Sequence, residues 1–229
     1  LLLNKGTNCV ILALSEINRL LLEFATSIGV TRELNDEDKV AYLQYLINNN
    51  WVMAKAVYSF KSIRVSLLKT KLGHIWDTSE QSIDDLLKND SSPSIWPLDA
   101  PSEAISVDEL LVVMGWDIDR AATEIGNAIG KKVDELFSQF GNSEDLIFSA
   151  ELIFTEKNAF AALEANNWNV IEAAEYLKQS LVSDLQLELF VEISYDDAIV
   201  ILQKNEWSID KALALIKENN GDIVKVMDI

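Results

Sequence analysis

The chain of 229 residues contains one cysteine, one histidine and three prolines. A single cysteine excludes an internal disulfide and any cysteine-rich zinc site, and it fits a reducing compartment, cytoplasmic or nuclear. A single histidine excludes a multi-histidine metal site. Basic residues are scarce as well: 19 Lys and Arg stand against 37 Asp and Glu, a net charge of −18. That charge repels a phosphate backbone and argues against nucleic acid as a partner. Long apolar runs are missing too. The run from Cys9 to Leu14 is too short to span a bilayer, and Glu16, Arg19 and Glu23 follow it, so no membrane role is expected. No small-residue cleavage site marks a signal peptide, and Leu1 in place of methionine reads as a piece of a longer or processed chain.

Catalytic chemistry has little to work with. No phosphate-binding glycine loop or calcium-loop spacing occurs. His74 has no Ser, Cys and acid in a recognisable arrangement around it and reads as a partly exposed helix-end residue. Cys9, in an apolar run, reads as a small buried hydrophobe. The adjacent pairs Asp84–Asp85 and Asp196–Asp197 read as helix caps. The expectation is a non-catalytic chain with no cofactor and no metal.

What is present is enough apolar residue, 49%, for a substantial core. The length allows one elongated domain or two compact ones, at roughly 100 to 200 residues each. Ile17, Leu20, Leu21, Phe24 and Ile28 form one apolar stripe at helical spacing. Pro93, Pro97 and Pro101 prevent a regular helix in the segment around them, the best candidate linker. Ser106 with Glu109 offers a capping box for the helix that follows. Charge is uneven across the linker: residues 1–105 carry a net −3 and residues 106–229 a net −15. Within the first half, Lys55, Lys61, Arg64, Lys69 and Lys71 form an acid-free stretch that reads as a solvated helix face or a docking face for an acidic partner.

A repeat organises the whole chain. Trp51, Trp116, Trp168 and Trp207 each have a leucine five residues before them: Leu46, Leu111, Leu163 and Leu202. Five residues after each stands an alanine: Ala56, Ala121, Ala173 and Ala212. Apolar or alanine residues recur at +2, +6 and +9, which together with +5 trace one face of a helix. Asp117, Asn169 and Ser208 follow three of the tryptophans as N-caps, and Val52 breaks the rule in the first copy. Asn49 and Asn50, Gly115, Asn166 and Asn167, and Asn205 precede them, residues that tolerate the left-handed conformation ending a helix. Each copy therefore predicts helix, tight turn, helix, with the tryptophan wedged at the elbow. A further helix precedes each elbow helix pair: Ile17–Ile28, Asp145–Glu151 and Ser183–Phe190, with Ile83–Leu87 as the candidate for the second copy. Ser194 and Asp197 offer a capping arrangement in the fourth. Gly221 takes the tryptophan position of a partial fifth copy, overlapping the fourth.

Three short helices at this spacing resemble the ubiquitin-associated (UBA) domain, most closely in 144–180 and 183–229, where Ala162–Leu177 (ALEANNWNVIEAAEYL) is similar to its second and third helices. Glu218–Met227 resembles the third helix of the UBA domain in the nascent-polypeptide-associated complex. The resemblance implies an all-α fold of tandem or overlapping three-helix UBA-like units forming a short helical solenoid. Its expected segments are 1–88, with helices about 15–28, 36–49 and 52–72; a proline linker at 89–105; and units at 106–140, 144–180 and 183–229.

Members of this family grip an apolar patch on ubiquitin with a methionine-glycine-aromatic loop after helix 1 and a leucine pair ending helix 3. The matching positions here, and so the candidate partner-binding residues, are Gly29, Val30, Ile153, Phe154, Val191, Glu192, Ile193, Leu177 and Leu215. None of these loops has the family triplet. Lys61, Gly126, Lys178 and Lys217 stand at the second leucine position, where a charge opposes an apolar contact. Met114-Gly115-Trp116 does match the triplet, but the repeat makes Trp116 an elbow residue; Met114 and Gly115 join the candidates in case the triplet forms an exposed loop. The resemblance implies a ubiquitin-pathway module within a larger ligase or adaptor. It would bind ubiquitin, or more readily a ubiquitin-like domain of a partner, beside other subunits of a complex. The alternatives are a purely structural helical scaffold and a translation- or nascent-chain-associated module.

Overall fold

In a computed structural model, the protein is described over residues 2–73, 80–89, 106–141, 146–147, 150, 153–189 and 192–227, with backbone alone for 2–9, 80–82, 89 and 156. His74, Trp76, Trp96, Val191, the three prolines, most of Asp145–Glu151 and the side chain of Cys9 lie outside the described residues. Every regular element described is a helix: α1 Leu2–Ser27, α2 Asp36–Asn48, α3 Met53–Leu72, α4 Glu80–Asn89, α5 Val107–Val113, α6 Ile118–Ser138, α7 Glu156–Ala165, α8 Val170–Glu188, α9 Tyr195–Lys204, α10 Ile209–Glu218 and α11 Ile223–Met227. No helix among the described residues is long and apolar enough to cross a membrane.

The described residues fall into two compact units, 2–73 with 106–124, and 80–89 with 125–227. In the first, α1, α2 and α3 pack against one another and α5 packs on α3. Leu21, Phe24, Ala25 and Ile28 form the buried stripe of α1, while Ile17 and Leu20 are only half-buried. The Phe24 ring lies 5.1 Å from Tyr42 and 5.7 Å from Phe60, centroid to centroid, so one aromatic cluster joins all three helices. Asn35 caps α2 in a reciprocal box with Asp38. Arg32 adds a 2.9 Å hydrogen bond to Asp38 and holds that carboxyl below its usual range.

In the second unit, α8, α9 and α10 pack mutually, and so do α9, α10 and α11, with α7 on α8. Two three-helix sets thus share α9 and α10. The residue pattern explains how α8 serves two neighbours. Ala173, Ala174 and Leu177 bury its first half, and Leu181, Val182 and Leu185 its second.

The elbows share one backbone. The tryptophan and the residue before it are both left-handed: Asn50 and Trp51 have φ of 53° and 61°, Gly115 and Trp116 64° each, Asn167 and Trp168 50° and 61°, Glu206 and Trp207 54° and 60°. Asn220 and Gly221 repeat it at 56° and 79°. In the four tryptophan copies, the Trp amide donates to the carbonyl of the leucine five residues back at 2.7 Å. Asn49, Asn166 and Asn205 are not the left-handed residues: their φ values are −106°, −109° and −106°. Their side-chain amides instead donate to the carbonyls of Tyr45, Ala162 and Ile201, and Asn219 does the same to Leu215. Asparagine before the turn therefore closes the last helical turn, while the next residue enters the left-handed region.

A side chain in that region costs about 1–2 kcal/mol per residue. Burying a tryptophan, about 200 Å² at about 25 cal/mol per Å², contributes near 5 kcal/mol and exceeds two such costs. Trp116, Trp168 and Trp207 are at most 3% exposed, and the leucines at −5 and alanines at +5 are fully buried. Trp51 departs from the expected wedge: it is 44% exposed. Val52 after it makes no side-chain cap, whereas Asn169 and Ser208 do. The expectation that Ile83–Leu87 supplies the first helix for the Trp116 copy fails, because α4 belongs to the second unit and Trp116 instead hydrogen-bonds the end of α1.

Trp168→Ala and Trp207→Ala are each expected to lower stability in urea unfolding by about 3–5 kcal/mol. Trp51→Ala is expected to lower it by less, about 1–3 kcal/mol, since 44% of the residue is exposed.

Candidate functional site: a groove between α8 and α10

The structure places the predicted contact residues unevenly. Gly29, Gly115, Ile153 and Glu192 are exposed, and Val30 and Leu215 are half-buried. Met114, Phe154, Leu177 and Ile193 are buried, at 4%, 7%, 5% and 9% exposure, because each faces its own unit's core. The Met114-Gly115-Trp116 triplet is an elbow and not a projecting loop, with Trp116 3% exposed. Met114, Phe154, Leu177 and Ile193 therefore do not present their side chains to a partner.

Two of the lysines at the second leucine position turn inward over rings. Lys61 Nζ lies 5.9 Å from the Trp116 ring centre and 3.3 Å from Asp108. Lys178 Nζ lies 5.7 Å from the Phe140 ring centre and 3.2 Å from Glu175. Each covers an aromatic face with a cation, a favourable arrangement when partly desolvated. Lys217 is exposed.

One predicted residue, Ile153, does join a surface feature. It borders an open groove of about 660 Å³ whose apolar walls are Leu181 and Leu187 of α8 and Ile209 and Leu213 of α10, with Trp207 at the base. Leu187 is 83% exposed and Ile153 37%. Asp184, Glu188 and Asp210 edge the groove, and no basic residue lines it. These three carboxylates make no ion pair among the described residues. Asp184 and Glu188 also sit near the C-terminal end of α8, which has no basic residue in its last turn. Carboxylates there meet the negative end of the helix dipole, so the groove edge favours a cation.

Side-chain bonds tie α8, one wall of the groove, to α9 and its preceding loop. Gln186 Nε2 donates to the Ile193 carbonyl at 3.0 Å, tying the loop before α9 to α8. Ser194 caps α9 by accepting from the Asp197 amide at 3.2 Å. The Tyr195 hydroxyl donates to Glu175 at 3.0 Å. Burial and then that carboxylate push the Tyr195 hydroxyl up to about 12. Among the described residues, no cluster of His, Cys, Asp or Glu side chains could hold a metal ion.

Leu181, Asp184, Leu187, Glu188, Ile209, Asp210 and Leu213 were not among the sequence candidates. One signal pointed to them: Leu187 stands two residues after Leu185, off the inward stripe of α8. Comparison with protein families, curated proteins and solved structures finds no match to this chain.

The Tyr195 bond has a measurable pH signature. Its folded pKa lies above the unfolded value near 10, so its contribution to stability is complete below about pH 10 and is lost as pH rises towards about 12. Phenolate absorbance should show a tyrosine titrating near 12 that disappears in Tyr195→Phe. In urea unfolding, Leu187→Asp is expected to cost no more than about 1 kcal/mol, from one further carboxylate at the α8 C-terminus, whereas Leu181→Asp, which buries a charge, destabilises strongly.

Proposed function

We propose that the chain is a non-catalytic interaction module of the ubiquitin pathway, working in the cytoplasm or nucleus as part of a larger ligase or adaptor. In this reading its three-helix sets are UBA-like units that overlap through shared helices as a short solenoid, and it binds a ubiquitin-like domain of a partner. The observation that carries the reading is the α8–α10 groove, an apolar strip with a carboxylate edge on one such three-helix set. It suits a ubiquitin-fold surface whose apolar patch is flanked by basic side chains. The charge speeds encounter and selects orientation, while the leucines and isoleucines supply contact area. Ordinary ubiquitin recognition fits less well, because Met114, Phe154, Leu177 and Ile193 face inward. That inward use also favours a second reading, a structural scaffold with no ubiquitin-fold ligand.

Titrating isotope-labelled ubiquitin and ubiquitin-like domains with the chain at near-physiological salt separates the two. A ubiquitin-like domain should show local, saturable shifts, with affinity falling about tenfold or more in Leu187→Asp or Ile153→Asp, as for apolar anchors at other interfaces. Unchanged spectra for every ubiquitin-fold ligand would favour the scaffold.

A further inference from the structure

Two elbows in this fold make the same joint. Trp116 Nε1 donates to the Ile28 carbonyl at 2.8 Å, and Trp207 Nε1 to the Phe140 carbonyl at 2.9 Å. Both acceptors lie just beyond the last turn of a helix, and a glycine follows each: Gly29 and Gly141. In each joint a phenyl ring meets the indole edge to face at 5.0 Å, Phe60 on Trp116 and Phe140 on Trp207. A lysine ten residues after an elbow tryptophan accompanies both: Lys61 over Trp116 and Lys178 over Phe140. The joint is thus an indole N–H on a helix-end carbonyl, closed by an aromatic edge and a cation.

The Trp51 elbow has the same backbone but turns its apolar residues outward. Its indole makes no hydrogen bond or ring contact among the described residues. Trp51 and Val52 are each 44% exposed, and Ile47 is 46% exposed. The counterpart of Ile47 in the next elbow, Val112, packs so close to Gly29 that a Cβ there would lie 2.7 Å from it. From Asn49 a shallow groove of about 490 Å³ runs along α3 past Lys55, Tyr58 and Ile63, and no acid lines it. Lys55 has no ion-pair partner among the described residues, whereas Lys61 pairs with Asp108 and Lys71 with Asp119.

We propose that the Trp51 elbow and this groove are a docking surface for the C-terminal end of a helix in a partner protein, with an apolar last turn, a following glycine and acidic flanking residues. The two internal joints define the shape of the occupant, and charge defines its sign. A helix C-terminus presents free carbonyls and partial negative charge, which the Trp51 indole N–H and Lys55 complement. Carboxylates on the partner helix then meet Lys55 in a groove lined by no acid. This surface is separate from the α8–α10 groove, so its success or failure is independent of ubiquitin-fold binding.

The test uses the full chain labelled with 5-fluorotryptophan, each resonance assigned through a Trp→Phe variant. The probe is a helix-stapled peptide amide with the sequence of residues 13–29, ALSEINRLLLEFATSIG, which carries the Ile28-Gly29 end with Glu16 and Glu23. The expected result is a saturable shift of the Trp51 resonance that weakens as salt is raised. Lys55→Glu should weaken binding about tenfold without changing the melting temperature. Three results would overturn the proposal. The Trp51 signal could stay fixed at millimolar peptide. The shift could fall on Trp116 instead, showing the peptide displacing the chain's own α1 end. The Trp51 signal could also move with protein concentration alone, making a second copy the occupant.

Discussion

Two consecutive left-handed residues, closed by an amide bond to a leucine carbonyl five residues back, are the constraint on which each helix pair depends. That geometry reverses the chain within three residues and delivers the tryptophan into the angle between two helices. It is unfavourable in isolation for residues with side chains. In three copies the buried indole offsets that cost, and in all four the leucine at −5 and the alanine at +5 are buried, so the helices approach closely even where Trp51 is exposed. Glycine alone among residues escapes the steric cost, and it occupies the tryptophan position where the last helix is only five residues long, at Gly221.

Spending the large apolar side chains on elbows determines which surfaces remain. Met114, Phe154, Leu177 and Ile193 close cores, and Lys61 and Lys178 lie over rings. Apolar groups left outside include Leu187 on α8, off the repeat's inward positions, and Ile47, Trp51 and Val52 at the first elbow. The second unit's groove is edged by carboxylates and the first unit's groove by a lysine. If both grooves bind partners as proposed, their opposite charge would let each select against the other's ligand.

The helices, their elbows, the capping box at Ser106 and the cap at Ser194 were readable because spacing and local chemistry specify them. Leucine at −5 and alanine at +5 bury in every copy, as periodicity alone requires. The left-handed tryptophan was not readable, since no propensity scale favours it; in three copies the burial it gains offsets the cost, and Trp51 takes the same conformation while exposed. Glu206 shows the same limit: it takes the left-handed place that asparagine or glycine fills elsewhere. The α8–α10 groove was hidden for another reason. It joins Ile153 to residues on α8 and α10, so it exists only once those helices pack. The exposed Trp51 had one local sign, Val52 in place of a polar cap, but sequence did not show that its ring would turn outward.

Hydrogen exchange of the four tryptophan backbone amides tests most directly whether buried elbows hold the fold while the first elbow is left free to act at the surface. All four amides donate to a leucine carbonyl with the same geometry, so any difference between them reports burial and not the bond. The account predicts that the Trp116, Trp168 and Trp207 amides exchange only through global unfolding, and that the Trp51 amide exchanges through cheaper local opening. Equal protection at all four, or rapid exchange at Trp168 and Trp207, would contradict it.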